Sequence, residues 1–194
     1  MKPWDDLSDE ELAQKVQQGY QAAFNELVER YTAKVYLQAR AMTRSGQEAE
    51  DIVQETFLKA FKHIDKFLPA KATFKTWLFA IARNQSINVL SSLKRKMARY
   101  FYETGGRTEH DYPDPVAGLS DGSDAEKLLS EKQQFARVTQ TIEKLPERQR
   151  TALLLKAQES MSYEEIAQVM QTSASAVESL IFRARKTLMD VLEE

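Results

Sequence analysis

Apolar residues recur three and four positions apart along most of the chain, and no stretch sustains the every-other-residue alternation of a half-buried strand. The pattern predicts an all-α protein. Ser8 followed by Glu11 has the spacing of a capping box and opens a helix with Leu12 and Val16 on one face, ending near Gly19. Phe24, Leu27, Val28, Tyr31, Val35 and Ala39 stripe a second, longer helix that stops around Ser45 and Gly46. A third begins near Glu48, with acidic residues where the helix dipole favours them, and carries Val53, Phe57, Ala60, Phe61 and Ile64. Pro69 breaks the chain. Phe74, Trp77, Leu78, Ile81, Ile87 and Leu90 then mark a fourth helix whose end is Lys94, Arg95 and Lys96.

Residues 100–125 change character, holding four of the six glycines, Pro113, Pro115 and an excess of acidic groups. Such a stretch is too long for a structureless loop inside one compact domain, so it reads as a flexible acidic linker between two small helical domains. Beyond it Leu128, Phe135, Val138, Ile142 and Leu145 restore the helical period before Pro146, and a short helix follows from about Glu147 to Ala157. Ser162 with Glu165 repeats the capping box ahead of Ile166, Ala167, Val169 and Met170. Thr172 and Ser173 offer the N-cap of a last helix striped by Val177, Leu180, Ile181, Ala184 and Leu188. The expected division is 1–98, a linker at 99–125, and 126–194.

At 194 residues the chain can bury a real hydrophobic core, and this division suggests two small ones. Its longest apolar runs, such as Trp77 to Ala82, are far too short to cross a membrane, and Met1 to Asp6 lead into acidic rather than apolar sequence. Neither membrane insertion nor a signal peptide is expected, and the expected location is the cytoplasm. Zero cysteines and two histidines, His63 and His110, remove thiol nucleophiles, disulfides and zinc sites. No glycine stands in a phosphate-cradling array. The sequence therefore predicts no metal, no cofactor and no enzyme.

The net charge of −2 conceals a sharp division, because residues 62–99 carry nine basic groups against one acidic and residues 100–125 carry one against six. A basic block inside an acidic protein is the footprint of a polyanion site, or else a solvated lysine-rich face. Aromatic residues sit among those cations, from Phe67, Phe74, Trp77 and Phe79 to Tyr100, Phe101 and Tyr102. Stacking surfaces beside phosphate-binding cations suit unpaired bases, although most of these rings also fit a core. Asn84 and Asn88 lie one turn apart in an otherwise apolar helix and can present amides to base edges or simply face solvent.

Two further patterns point to partners. The last two helices are joined by a very short turn with the small residue Ala167 where they would touch, which is the spacing of a helix-turn-helix or of a pair used only for packing. As a DNA reader, the second helix would expose Glu178, Ser179 and Phe182, with Arg183, Arg185 and Lys186 behind them. Glutamate can accept from cytosine, and arginine can grip guanine or phosphate. The helix bearing Asp51, Gln54, Glu55, Phe57 and Lys59 mixes acids, an amide and an aromatic, as a protein-docking face does, or as an ordinary surface helix does with Phe57 turned inward.

Four segments in order, DIVQETFLKAF at 51–61, TWLFAIARN at 76–84, LPERQR at 145–150 and MSYEEIA at 161–167, resemble bacterial sigma factors of the extracytoplasmic function (ECF) group of the sigma-70 family. The resemblance spans roughly residues 8–97 and 126–192. It implies a four-helix promoter-melting domain and a helix-turn-helix domain that binds the upstream promoter element and the β flap of RNA polymerase. By the same resemblance Asp51, Gln54, Glu55 and Phe57 are expected on the β′ clamp helices of the core polymerase. Lys71, Phe74, Asn84, Asn88, Lys94, Arg95 and Lys96 are expected on the minus ten element. Ser175, Glu178, Ser179, Phe182, Arg183, Arg185 and Lys186 are expected on the minus thirty-five element. An anti-sigma factor is an expected partner.

The chain departs from the family pattern in places. Residues 67–74 read FLPAKATF, one residue longer than in many relatives and without their glycine, and Ser160 stands where glycine is usual. Glu178 and Leu180 occupy positions that are often basic. Two other function classes stay open at this point. One is a sigma mimic that sequesters an anti-sigma factor without touching DNA, and the other is a stand-alone helix-turn-helix regulator.

Overall fold

The computed structural model describes the backbone at residues 4, 6–104, 137, 138 and 140–192, and the side chains there except at 93–104, 158 and 192. All its regular structure is helical. The first lobe contains α1 (Asp9–Gln17), α2 (Ala22–Thr43), α3 (Gly46–Lys62), a single 3-10 turn (Ile64–Lys66) and α4 (Phe74–Thr104). The second contains a helical turn at 140–144, then α5 (Glu147–Glu159), α6 (Tyr163–Met170) and α7 (Ala174–Leu192). Among the described residues no helix is long and apolar enough to cross a membrane.

The helix starts follow local chemistry. Ser8 Oγ accepts from the Glu11 amide at 3.3 Å while the Glu11 carboxylate accepts from the Ser8 amide at 2.8 Å, satisfying two otherwise unpaired donors. Ser162 and Glu165 repeat the arrangement at 3.1 and 2.8 Å. Bonding to the Ser162 amide holds the Glu165 carboxyl below the usual carboxylate range. Ser45 caps α3 by accepting from the Glu48 amide, so this helix begins at Gly46, two residues before the expected start near Glu48. Between α1 and α2 the chain turns at Gly19, whose φ of 96° is one a side chain resists.

α4 does not stop at Lys94 to Lys96. Its backbone continues as helix to Thr104, so the expected boundary between residues 98 and 99 falls inside it, while the rest of the expected linker, at 105–125, lies outside the described residues. A run of cations is a good helix former, and nothing in 97–104 is a glycine or proline.

The largest buried cluster joins the two lobes instead of forming two separate small cores. Leu12, Leu27, Tyr31, Phe67, Phe74 and Phe79 of the first lobe belong to the same cluster as Leu155, Met161, Ile166, Met170 and Ile181 of the second. α6 lies against α4, and α5 against α2. Polar contacts edge this seam: Lys75 Nζ donates to the Glu159 carbonyl at 2.9 Å, Lys34 pairs with the Glu159 carboxylate at 3.5 Å, and Arg150 reaches the Met42 carbonyl at 3.4 Å. Arg44 donates to the Glu143 carbonyl. The seam is not well satisfied throughout. Gln38, one turn from both Lys34 and Met42, is buried with neither amide atom hydrogen-bonded among the described residues.

Candidate nucleic-acid and partner interfaces

Three surfaces emerge from this packing. The first is the outer side of α3, where Asp51, Gln54, Glu55 and Leu58 are exposed because Ile52, Thr56, Phe57 and Ala60 occupy the buried side. Leu58 keeps 65% of its exposure and forms a ridge between two grooves. One groove, of about 730 Å³, is lined by Phe24, Phe57, Leu58 and Phe61, with Gln54 at its edge. The other lies on the α4 side, between Asp51, Glu55 and Gln85. Lys59 ties the two helices together, donating to Gln85 at 2.8 Å and pairing with Glu55 at 3.3 Å. Phe57 is thus buried against Phe24 in edge contact yet still lines the apolar groove.

The second surface is the loop before α4 and the exposed side of that helix. Thr73 caps α4 through the Thr76 amide, and Lys71 stands exposed on the tight turn that begins at Leu68. Phe74, expected to face DNA, has 0% exposure and packs its ring against Tyr31, Phe67 and Trp77. That expectation is corrected: the ring is a core group that sets the start of α4. Asn84 and Asn88 are both exposed, one turn apart, while Gln85 and Ser86 between them are buried. Burial pushes the neighbouring Arg83 guanidinium below its usual pKa; Glu147 across the seam opposes the shift and Arg148 adds to it. The side chains of Lys94, Arg95 and Lys96 lie outside the described residues.

The loop is held by residues that the spacing of motifs does not single out. Gln17 of α1 donates to the carbonyls of Ile64 at 2.7 Å and Phe67 at 2.9 Å, and Glu10 accepts from the Phe74 amide at 2.9 Å. These bonds span 47 to 64 positions in sequence, so no local pattern carries them. They anchor both sides of the turn that contains Lys71.

The third surface is built by α6 and α7. Ile166, Ala167, Val177 and Ile181 are buried, which leaves Ser175, Glu178, Ser179, Phe182, Arg183, Arg185 and Lys186 exposed on α7. Phe182 keeps 68% of its exposure, too much for a packing residue. Ser173 caps α7 by accepting from the Ala176 amide at 3.2 Å. Ser175, Ser179 and Arg183 share a cleft with Arg148 at the start of α5, whereas Glu178 and Phe182 do not line it.

The profile of Sigma-70 region 2 matches residues 27–96, and that of Sigma-70, region 4 matches residues 135–188. An ECF RNA polymerase sigma-E factor of Haemophilus influenzae is 36% identical over 189 residues, covering 96% of each chain. The chain belongs to the sigma-70 family, in its ECF group.

Another relative, an RNA polymerase sigma-H factor of Pseudomonas aeruginosa, is 36% identical over 187 residues, covering 95% of this chain and 94% of that one. Among solved structures, that of CnrH in complex with the cytosolic domain of CnrY superimposes with a TM-score of 0.64 at 29% identity, covering 95% of this chain and 97% of the other. The Bartonella quintana sigma factor RpoE, solved with the anti-sigma factor NepR, shares the fold with a TM-score of 0.62 at 24% identity. In this sigma factor the region 2 match takes in the α3 ridge, the loop and the exposed side of α4, and the region 4 match takes in α5, α6 and most of α7.

Proposed function

We propose that this sigma factor binds core RNA polymerase, directs it to specific promoters and helps to open the duplex, with no chemistry of its own. The observation that carries the reading is the ordered pair of family regions, each presenting an exposed face whose chemistry suits a different target. The α3 ridge of Asp51, Gln54, Glu55 and Leu58, beside the groove floored by Phe57, suits a helical partner with apolar and basic groups, and is assigned to the β′ clamp helices. Lys71, Asn84 and Asn88, followed by Lys94, Arg95 and Lys96, are assigned to the minus ten element. Captured unstacked bases supply about 1–3 kcal/mol each toward opening. The exposed face of α7 is assigned to the minus thirty-five element, and the lobe that carries it to the β flap. The first lobe, with α4 continued to Thr104, and the second lobe act as the two working units, in the cytoplasm, under the control of an anti-sigma factor.

Two elements named for positions about 25 base pairs apart lie roughly 85 Å apart at 3.4 Å per pair. Lobes packed face to face cannot serve both. Binding to polymerase therefore has to part the seam, where the desolvated Glu159 carboxylate and the buried, unbonded Gln38 amide make separation less costly than the apolar area alone suggests.

Run-off transcription with core polymerase over a promoter library tests the reading, using duplex templates and templates already unpaired at the minus ten element. Asn84→Ala should lose most activity on duplex and recover on the unpaired template. Arg183→Ala should be weak on both. Wild-type behaviour by both variants on both templates contradicts the site assignments, and no activity from the parent protein on any template contradicts the function.

A further inference from the structure

We propose that α1 sets which bases the loop before α4 accepts, with Glu10 and Gln17 as positioning residues for minus ten recognition. The inference rests on the assignment of that loop and of α4 to the minus ten element. It extends the reading to a helix that lies outside the residues matched by Sigma-70 region 2.

The loop runs between two buried rings. Phe67 and Phe74 keep 1% and 0% of their exposure, whereas residues 68–71 between them are all exposed. Within that tip the Lys71 amide donates to the Leu68 carbonyl at 2.9 Å. A bond of this kind shapes the turn, but the direction in which the turn points is set at its two ends.

α1 holds both ends. On the entry side Gln17 Nε2 donates to the Ile64 carbonyl at 2.7 Å and the Phe67 carbonyl at 2.9 Å, and an amide bonded twice fixes orientation as well as position. On the exit side Glu10 accepts from the Phe74 amide at 2.9 Å, in the first turn of α4, where unpaired donors and the helix dipole favour a carboxylate. Glu10 and Gln17 are seven residues apart, two turns along one face of α1 and so about 10 Å along its axis. The helix is itself anchored, by buried Leu12, Ala13 and Val16 and by Asp9, which pairs with Arg30 at 3.0 Å and accepts from Tyr31. The two ends of the loop are therefore tied to one fixed element at a fixed separation.

Exposure separates positioning from support of the core. Gln17 is exposed and Glu10 half-buried, so truncating either empties no part of the core. What truncation removes is the constraint on the exposed tip. Selection between bases needs contacts held to about 0.5 Å, and a tip free to shift accommodates the wrong base as well as the right one.

The test uses holoenzyme reconstituted from the full chain and run-off transcription from templates already unpaired at the minus ten element, with each base of that element varied in turn. The readout is the ratio of yields between the preferred base and the others at the position where the parent protein discriminates most. Glu10→Ala and Gln17→Ala should each lower that ratio about fivefold. Preference at the minus thirty-five element and association with core polymerase should be unchanged. Glu10→Gln keeps an acceptor oxygen and should keep the parental ratio. Gln17→Glu keeps the shape without the donors and should lose the ratio as Gln17→Ala does. A protein that is only destabilised lowers the yield from every template alike and leaves the ratio untouched.

The parental ratio in both alanine variants overturns the proposal, and so does an equal loss of preference at both promoter elements. A ratio lost in Glu10→Gln as fully as in Glu10→Ala overturns the role given to the acceptor oxygen. If the parent holoenzyme itself shows no preference among bases on the unpaired templates, the assignment of the loop to the minus ten element fails, and this proposal with it.

Discussion

Replacing Phe74 with alanine and, separately, with leucine distinguishes a core ring from a DNA-facing one. The side chain is fully buried, with ring centroids 5.6 Å from Phe67, 5.8 Å from Trp77 and 5.9 Å from Tyr31. Truncating such a phenylalanine costs about 3–5 kcal/mol through lost transfer energy and the cavity left behind. Against a total stability of about 5–15 kcal/mol this is a large share. For a chain of this size it lowers the melting temperature by roughly 6–20 °C. Leucine keeps most of the apolar volume and should cost only about 1.5 kcal/mol. Thermal unfolding followed by circular dichroism gives the stabilities, and run-off transcription at a temperature where both variants are folded gives the function. Phe74→Leu should transcribe nearly as well as the parent protein. The reasoning is refuted if Phe74→Ala melts within about 1 kcal/mol of the parent. It is equally refuted if Phe74→Leu folds and binds polymerase but cannot open a promoter.

Three other substitutions probe separate parts of the account. Leu58→Asp, at an exposed position, should leave stability within about 0.5 kcal/mol while weakening association with core polymerase at least tenfold in a pull-down titration. Gln17→Ala removes two bonds to the loop carbonyls, and should cost about 1–3 kcal/mol and speed hydrogen exchange in residues 64–74. Glu159 retains only 4% side-chain exposure, and burial raises its carboxyl pKa despite Lys34 and Lys75 nearby. The packed seam thus prefers the neutral acid, so lobe packing should tighten as pH falls toward the ordinary carboxylate range and loosen as pH rises through the raised pKa. Small-angle scattering of the free protein reads this as a smaller radius at the lower pH, and Glu159→Gln should be compact throughout.

What was legible in the sequence is what depends on neighbours in the chain. Both capping boxes and the stripe of Leu27, Tyr31 and Val35 are short-range patterns, and the structure forms them as the spacing implies. The exposure of Asn84, Glu178 and Arg183 follows from the same periodicity. Phe74 was harder, because the ring sits in the first turn of α4 and its burial is decided by Tyr31 and Phe67. The end of α4 was misplaced since a cationic run does not stop a helix. The seam, the Gln17 bonds and the meeting of Arg148 with Arg183 all join residues far apart in sequence, and only packing brings them together.

The most direct measurement maps the 5′ ends of transcripts made by core polymerase from a random linear DNA library, with and without the purified chain. The account predicts discrete start sites that appear only with the chain and share two upstream sequence elements. An identical spread of 5′ ends in both reactions, under conditions where the chain co-elutes with the polymerase, contradicts it.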